Sequence, residues 1–198
     1  MIERRTIETI RDRYGGVASW AVWAPEGEKP KSNISDLSVL DPEHNPQLTH
    51  ILRTNVVLLG LNISRPMTER PFGNFHDPRP QATDWRLRRA LLDSPWWGGY
   101  MTDVIKGFEE PLSQKVMKYL ENNQDFERQQ IQSLREELAF IGCKAPVLVA
   151  LGQAARKILL RNFQDEFRIV GVPHYAARMS LSGYQSCIRD AMADSGFL

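Results

Sequence analysis

The sequence predicts an α/β fold: three α/β/α layers around a central, mainly parallel, four-stranded sheet. Two unbroken apolar runs, Val56-Val57-Leu58-Leu59 and Val147-Leu148-Val149-Ala150-Leu151, suit strands covered on both faces. Four strand-like segments alternate with stretches whose apolar residues recur at helical spacing, which is the pattern of βαβ units. The chain has 198 residues, enough for one domain with a sizeable core, and residues 1–198 are read as a single domain.

In chain order, Ile7, Ile10 and Tyr14 give an amphipathic helix stopped by Gly15-Gly16. Residues 17–24 are apolar, with two tryptophans, and fit helix or strand equally. From Pro25 to Pro46 the composition turns to Pro, Gly, Ser, Asn, Asp and Lys, a long connection with little periodicity. Too little precedes it for a domain boundary. A strand at 54–61 follows, then a broken stretch at 64–83 rich in proline and aromatics (Pro66, Pro71, Phe72, Phe75, His76, Pro78, Pro80). Asp84 is placed to cap a helix over 85–92. A second strand runs over 100–105, and 112–126 is helical in part. Ile131, Leu134, Leu138 and Ile141 form a helix stripe closed by Gly142. A third strand at 145–152 leads directly into a helix at 153–161. A fourth strand at 167–172 ends at Pro173-His174-Tyr175, and a last helix spans 182–193.

Composition narrows the function classes. Hydrophobic residues make up 42% and charged residues 25%, with a net charge of +1, so the surface as a whole is not a basic coat, although a compact basic groove stays open. Two distant cysteines, Cys143 and Cys187, make neither a disulfide framework nor a zinc site. Nothing demands a metal or cofactor. No apolar run suits a secretory signal or a membrane span, so a cytoplasmic protein is expected. There is no phosphate loop, G-x-G-x-x-G, H-E-x-x-H, C-x-x-C or G-x-S-x-G.

The candidate site comes from topology. Asn62, Asp103 and His174 stand at or just past the ends of three strands. A parallel sheet with right-handed crossovers lines such ends along one edge, where open α/β sheets bind ligands. Each residue has a plainer alternative: Asn62 in a loop cap, Asp103 in a helix cap, His174 as a structural histidine, Phe72 and Phe75 as plugs of a loop core.

The order of these pieces resembles the uracil-DNA glycosylase superfamily. Gly60-Leu61-Asn62 is similar to the first motif of its mismatch-specific thymine/uracil and single-strand-selective branches. The aromatic stretch with Phe72, Phe75 and His76 resembles the base-stacking segment, residues 145–159 the third strand and its helix, and His174-Tyr175-Ala176-Ala177-Arg178 the His-Pro-Ser loop that penetrates the DNA. The likeness covers about 56–179. Ile63 and Ser64 stand where the motif has proline and glycine, Tyr175 and Ala176 where it has Pro-Ser, and Asp103 where a base-reading asparagine is often found.

The resemblance implies a monomeric DNA base-excision glycosylase, without cofactor, that hydrolyses the N-glycosidic bond of a deaminated or mismatched base flipped from single- or double-stranded DNA. Asn62 would hold the attacking water and His174 would donate to the departing base. Ile63, Phe72, Phe75 and Asp103 would bind the base, while Ser64, Tyr175 and Arg178 would contact DNA. Lys106, Arg156 and Lys157 are further candidates for phosphate contacts, or else solvated helix charges. Two alternatives remain: a relative that binds nucleic acid or nucleotide without this activity, and a protein-interaction domain on the same fold.

Overall fold

The computed structural model describes residues 1–64 and 70–197. Pro66, part of the broken stretch after the first long strand, lies outside the described residues. Helix α1 (Arg4–Tyr14) leads to a two-residue strand β1 (Ser19–Trp20). A 3₁₀ turn at Leu37–Leu40 and the short helix α2 (Leu48–Ile51) interrupt the long polar connection. Then follow β2 (Arg53–Asn62), α3 (Asp84–Leu91), β3 (Gly99–Ile105), α4 (Ser113–Asn122), α5 (Gln124–Ile141), β4 (Val147–Leu151), α6 (Gln153–Phe163), β5 (Ile169–Val172) and α7 (Leu181–Ser195).

The sheet has five strands, not the expected four, in the order β1-β3-β2-β4-β5. The four expected strands are present and parallel. The addition is β1, which pairs antiparallel with β3 through Ser19–Met101 and Trp20–Tyr100. Its two residues are too few to show a period of two, so residues 17–24 carried no strand signal. Among the parallel strands, β2 lies between β3 and β4, so the chain leaves β2 toward one edge and later returns to its other side. The crevice beyond the carboxyl ends of β2 and β4 is therefore a topological switch point, where such sheets bind ligands.

Alternation along β2 divides the core. Val57 and Leu59 pack with α1, α4, α5 and α6, through Ile7, Ile10, Leu120, Leu134, Leu138, Ile158 and Leu159. Val56 and Leu58 face the other way, onto Leu87 and Leu91 of α3 and Tyr184, Ile188 and Met192 of α7. Val56, Val57, Leu58 and Leu59 are all fully buried, which is why this strand reads as an unbroken apolar run. Among the described residues no helix is long and apolar enough to cross a membrane.

One charged group crosses the larger core. Glu137 of α5 is fully buried. It accepts the Tyr100 hydroxyl at 2.8 Å and lies 2.7 Å from Lys106 Nζ. Lys106 also donates to the Asp103 carbonyl at 2.8 Å. Lys106 is thus committed inward, not to a phosphate, and it ties the end of β3 to α5. Removing one partner of such a pair leaves an uncompensated buried group. Glu137→Ala should lower unfolding free energy by roughly 3 kcal/mol in urea titration. Lys106→Met/Glu137→Leu together should cost clearly less than the single change.

Candidate functional site

A cavity of about 660 Å³ opens beyond the carboxyl ends of the parallel strands. Its walls come from Gly60–Ser64 after β2, Asp103 of β3, Leu151–Ala155 at the β4–α6 junction, and His174–Ala176 after β5. Gly73, Asn74, Phe75 and Asp77 close it from the segment before α3. Asn62 and His174, 112 positions apart in the sequence, line the same space.

The orientation of the Asn62 amide follows from its partners. Its Nδ2 donates to the carbonyls of Phe108 and Glu110, both at 2.9 Å. Two carbonyl oxygens accept only from the NH₂ end, so the Oδ1 end is directed elsewhere. No donor reaches Oδ1 among the described residues. The amide is held as an acceptor by the loop after β3.

His174 is equally defined. Its Nδ1 accepts the Ala176 N–H at 3.1 Å, so the proton of the neutral ring is on Nε2. Burial lowers the imidazole pKa from 6.5 to about 4, which keeps it neutral near pH 7. Nε2–H is a neutral donor with no acceptor among the described residues. The ring stacks on Tyr175 with centroids 4.1 Å apart.

Asp103 lies directly across the β2–β3 ladder from Gly60. A Cβ on Gly60 would collide with Asp103 Oδ1 and would meet Phe75 Cε1 at 3.5 Å. The carboxylate therefore occupies space that only a glycine leaves open. Asp103 is 4% exposed, and burial raises its pKa from 3.8 to about 6 against the opposing effects of Asn74 and Lys106. Asp84 also lines the cavity, and burial raises it to about 6 as well. Asp84 does not cap α3 as expected; Thr83 stands at that position, and Asp84 Oδ2 accepts the Asp77 N–H at 2.7 Å.

The aromatic candidates separate. Phe75 lines the cavity. Phe72 does not: it is 1% exposed within the opposite core, its N–H bonded to Gly15 and its carbonyl to Ser19 Oγ. Phe72 is therefore a core plug rather than a base platform. Both take left-handed backbone angles, φ 63° and 65°, which are uncommon for bulky residues and cost about 1 kcal/mol or more each. That double reversal sends two aromatics three positions apart to opposite faces of the sheet. His76 is buried, bonded to Ser19 Oγ and the Ile34 carbonyl, and is structural.

Of the other candidates, Ile63, Ser64 and Tyr175 line the cavity, Ser64 at its exposed lip. Arg178 is exposed on the loop after β5 and is not part of the wall. Arg156 and Lys157 are exposed on α6. Among the described residues no group of three or more His, Cys, Asp and Glu side chains is placed to share a metal ion. No protein-family model, curated protein or solved structure matches this chain.

Arg86 escaped the sequence reading. From α3 its guanidinium donates to the carbonyls of Tyr175, Ala177, Met179 and Ser180, at 2.9, 2.8, 2.7 and 3.3 Å. It is 7% exposed and sets the loop that carries His174. A planar five-donor fork can satisfy four carbonyls at once; an ammonium cannot. Arg86→Lys should lower stability by roughly 2 kcal/mol and speed amide hydrogen exchange selectively at 174–180. An unchanged exchange pattern would show that the loop holds itself.

The buried carboxylate makes a separate prediction. Its folded pKa of about 6 lies above its ordinary 3.8, so its favourable contribution is complete below about pH 3.8 and is lost as pH rises through about 6. Asp103→Asn should therefore stabilise the fold at pH 8 relative to pH 4, on the order of 2–3 kcal/mol, in paired thermal melts.

Proposed function

We propose that this protein is a DNA base-excision glycosylase, hydrolysing the N-glycosidic bond of a flipped, deaminated or mismatched base with a positioned water. One observation carries the reading. An amide locked to present its oxygen and a neutral imidazole with a free N–H line one cavity. Its volume of about 660 Å³ lies within the usual range for ligand sites. The resemblance at Gly60-Leu61-Asn62 and around His174 supports the same assignment.

Base departure separates charge: the sugar becomes electron-poor and the base gains the electron pair of the breaking bond. Asn62 Oδ1 accepts a hydrogen from water and directs a lone pair at the anomeric carbon. An amide is not a general base at neutral pH, so the water attacks as the C–N bond breaks and gives up its proton to solvent afterwards, while the base leaves with the bonding electron pair. Nε2–H of His174 donates to the oxygen on which charge develops. Phe75 offers its ring to the planar base. Among the described residues three carboxylates, Asp77, Asp84 and Asp103, line the cavity with one cation, Arg79, which is itself bonded to Asp77. The interior therefore suits a neutral base and an electron-poor sugar, and the phosphates stay outside, within reach of the exposed Arg178.

The test is incubation of the full chain with single- and double-stranded oligonucleotides carrying one uracil, hypoxanthine, xanthine or mismatched thymine or guanine. Alkali-labile abasic sites should appear, and His174→Ala should reduce their rate about 100-fold or more, with Asn62→Ala comparably impaired. Because the imidazole is neutral down to about pH 4, the ratio of wild-type to His174→Ala rates should stay constant from pH 8 to pH 5.5. Salt-dependent binding without any cleavage would favour the alternative of a non-cleaving nucleic-acid-binding relative.

A further inference from the structure

The floor of the cavity has a polarity that the excision chemistry does not require. Asn74 donates both hydrogens of Nδ2, to the Val17 carbonyl at 3.1 Å and to Asp103 Oδ2 at 2.9 Å. The part of Asn74 left for the cavity it lines is its acceptor, Oδ1. Asp103 is 4% exposed and lines the same wall, yet no donor reaches its Oδ1 among the described residues. Asp103 is thus almost wholly enclosed, and the oxygen that no protein donor meets is the one left open to the cavity. Gly60 is the concession that admits it.

We propose that Asp103 and Asn74 form an acceptor-only recognition subsite for a planar ring with two adjacent N–H donors, the edge of a 2-amino-6-oxopurine. The inference rests on reading the cavity as a nucleobase site and narrows its substrate to a mismatched or damaged base that keeps the guanine-type edge. Guanine places N1–H beside its 2-amino group. Uracil, thymine and xanthine flank their N–H with carbonyl oxygens, which meet a carboxylate oxygen with repulsion. Hypoxanthine offers N1–H alone. Phe75, beside Gly60 and Asp103, offers its ring to a planar partner; a guanidinium, which also stacks on aromatic rings, is therefore the control.

Titration calorimetry at pH 8 compares 2′-deoxyguanosine with 2′-deoxyinosine, which differs only in lacking the 2-amino group, and with 2′-deoxyxanthosine, which carries oxo there and is anionic at this pH. Deoxyguanosine should bind about 10-fold tighter than deoxyinosine, with deoxyxanthosine weakest. Asp103→Asn should collapse that order. Asn74→Ala, which frees Asp103 Oδ2, serves as a second variant if the first does not fold, and should weaken deoxyguanosine most. Equal binding of the three nucleosides, or an order untouched in both variants, overturns the subsite. So does arginine amide binding as tightly as deoxyguanosine, since the edge would then not belong to a nucleobase. Oligonucleotide cleavage is scored separately. The ranking without cleavage upholds the subsite and defeats the glycosylase reading, while cleavage without an Asp103-dependent ranking does the reverse.

Discussion

Gly60 and Asp103 face one another across the β2–β3 ladder, and the missing side chain of one makes room for the carboxylate of the other. The rim of the sheet is arranged around this pairing. Asp103 is bonded to Asn74, and Asn74 to the backbone just before β1, so the segment that closes the cavity is tied to the acid. The Asp103 carbonyl takes Lys106, which reaches on to Glu137 in α5. A methyl group at position 60 would strike Asp103 Oδ1 and displace a node shared by two strands, a helix and the cavity wall. Burying a carboxylate here works against folding, a cost that packing alone does not explain.

The loops around the cavity are held by backbone carbonyls more than by apolar packing. Helix α3 carries two buried arginines two positions apart. Arg86 gathers the carbonyls after β5, and Arg88 gathers those of Ala24, Pro30 and Ser32. Irregular loops leave carbonyls without ladder partners, and a guanidinium satisfies several at once. Exposed pairs such as Arg4–Glu8 contribute little by comparison. The long connection after β1 is therefore anchored at 24–32, and part of it is ordered as a 3₁₀ turn and α2. Asn62 follows the same logic, since carbonyls of the loop after β3 determine which end of its amide meets a ligand.

The legible parts of the sequence were those governed by local period. The run Val56–Leu59 is buried on both faces and reads as a parallel strand, and the stripe from Ile131 to Ile141 reads as a helix that Gly142 ends at φ 82°. Strand ends then placed Asn62, Asp103 and His174 on one edge, as parallel topology requires. What escaped depended on distant partners or local reversals. Phe72 and Phe75 look alike in sequence, and the left-handed backbone that each adopts sends them to opposite faces of the sheet. Asp84 looks like a cap because nothing local reveals the Asp77 N–H as its partner. Arg86 looks like a solvated helix charge, since the carbonyls it serves lie 89 to 94 positions away. Asn74 showed no signal because its two partners come from different strand neighbourhoods.

The acidity of the cavity bears on how a DNA substrate would sit. Carboxylates in the wall oppose phosphate, and the net charge of +1 gives no broad attraction. Under the proposed function that is an asset at the reacting centre. Positive charge grows on the sugar, and the carboxylates other than Asp103, which faces the base edge, favour it without having to reorganise. The departing base needs the opposite. A protonated histidine would supply it strongly, but burial disfavours the charged ring. Burial instead keeps His174 neutral, with Ala176 fixing the proton on Nε2. The first turn of α6 opens on the same space and contributes partial positive charge from its unpaired N–H groups. The wall thus carries both kinds of group that charge separation in the reaction calls on: carboxylates, and a neutral donor with a helix end.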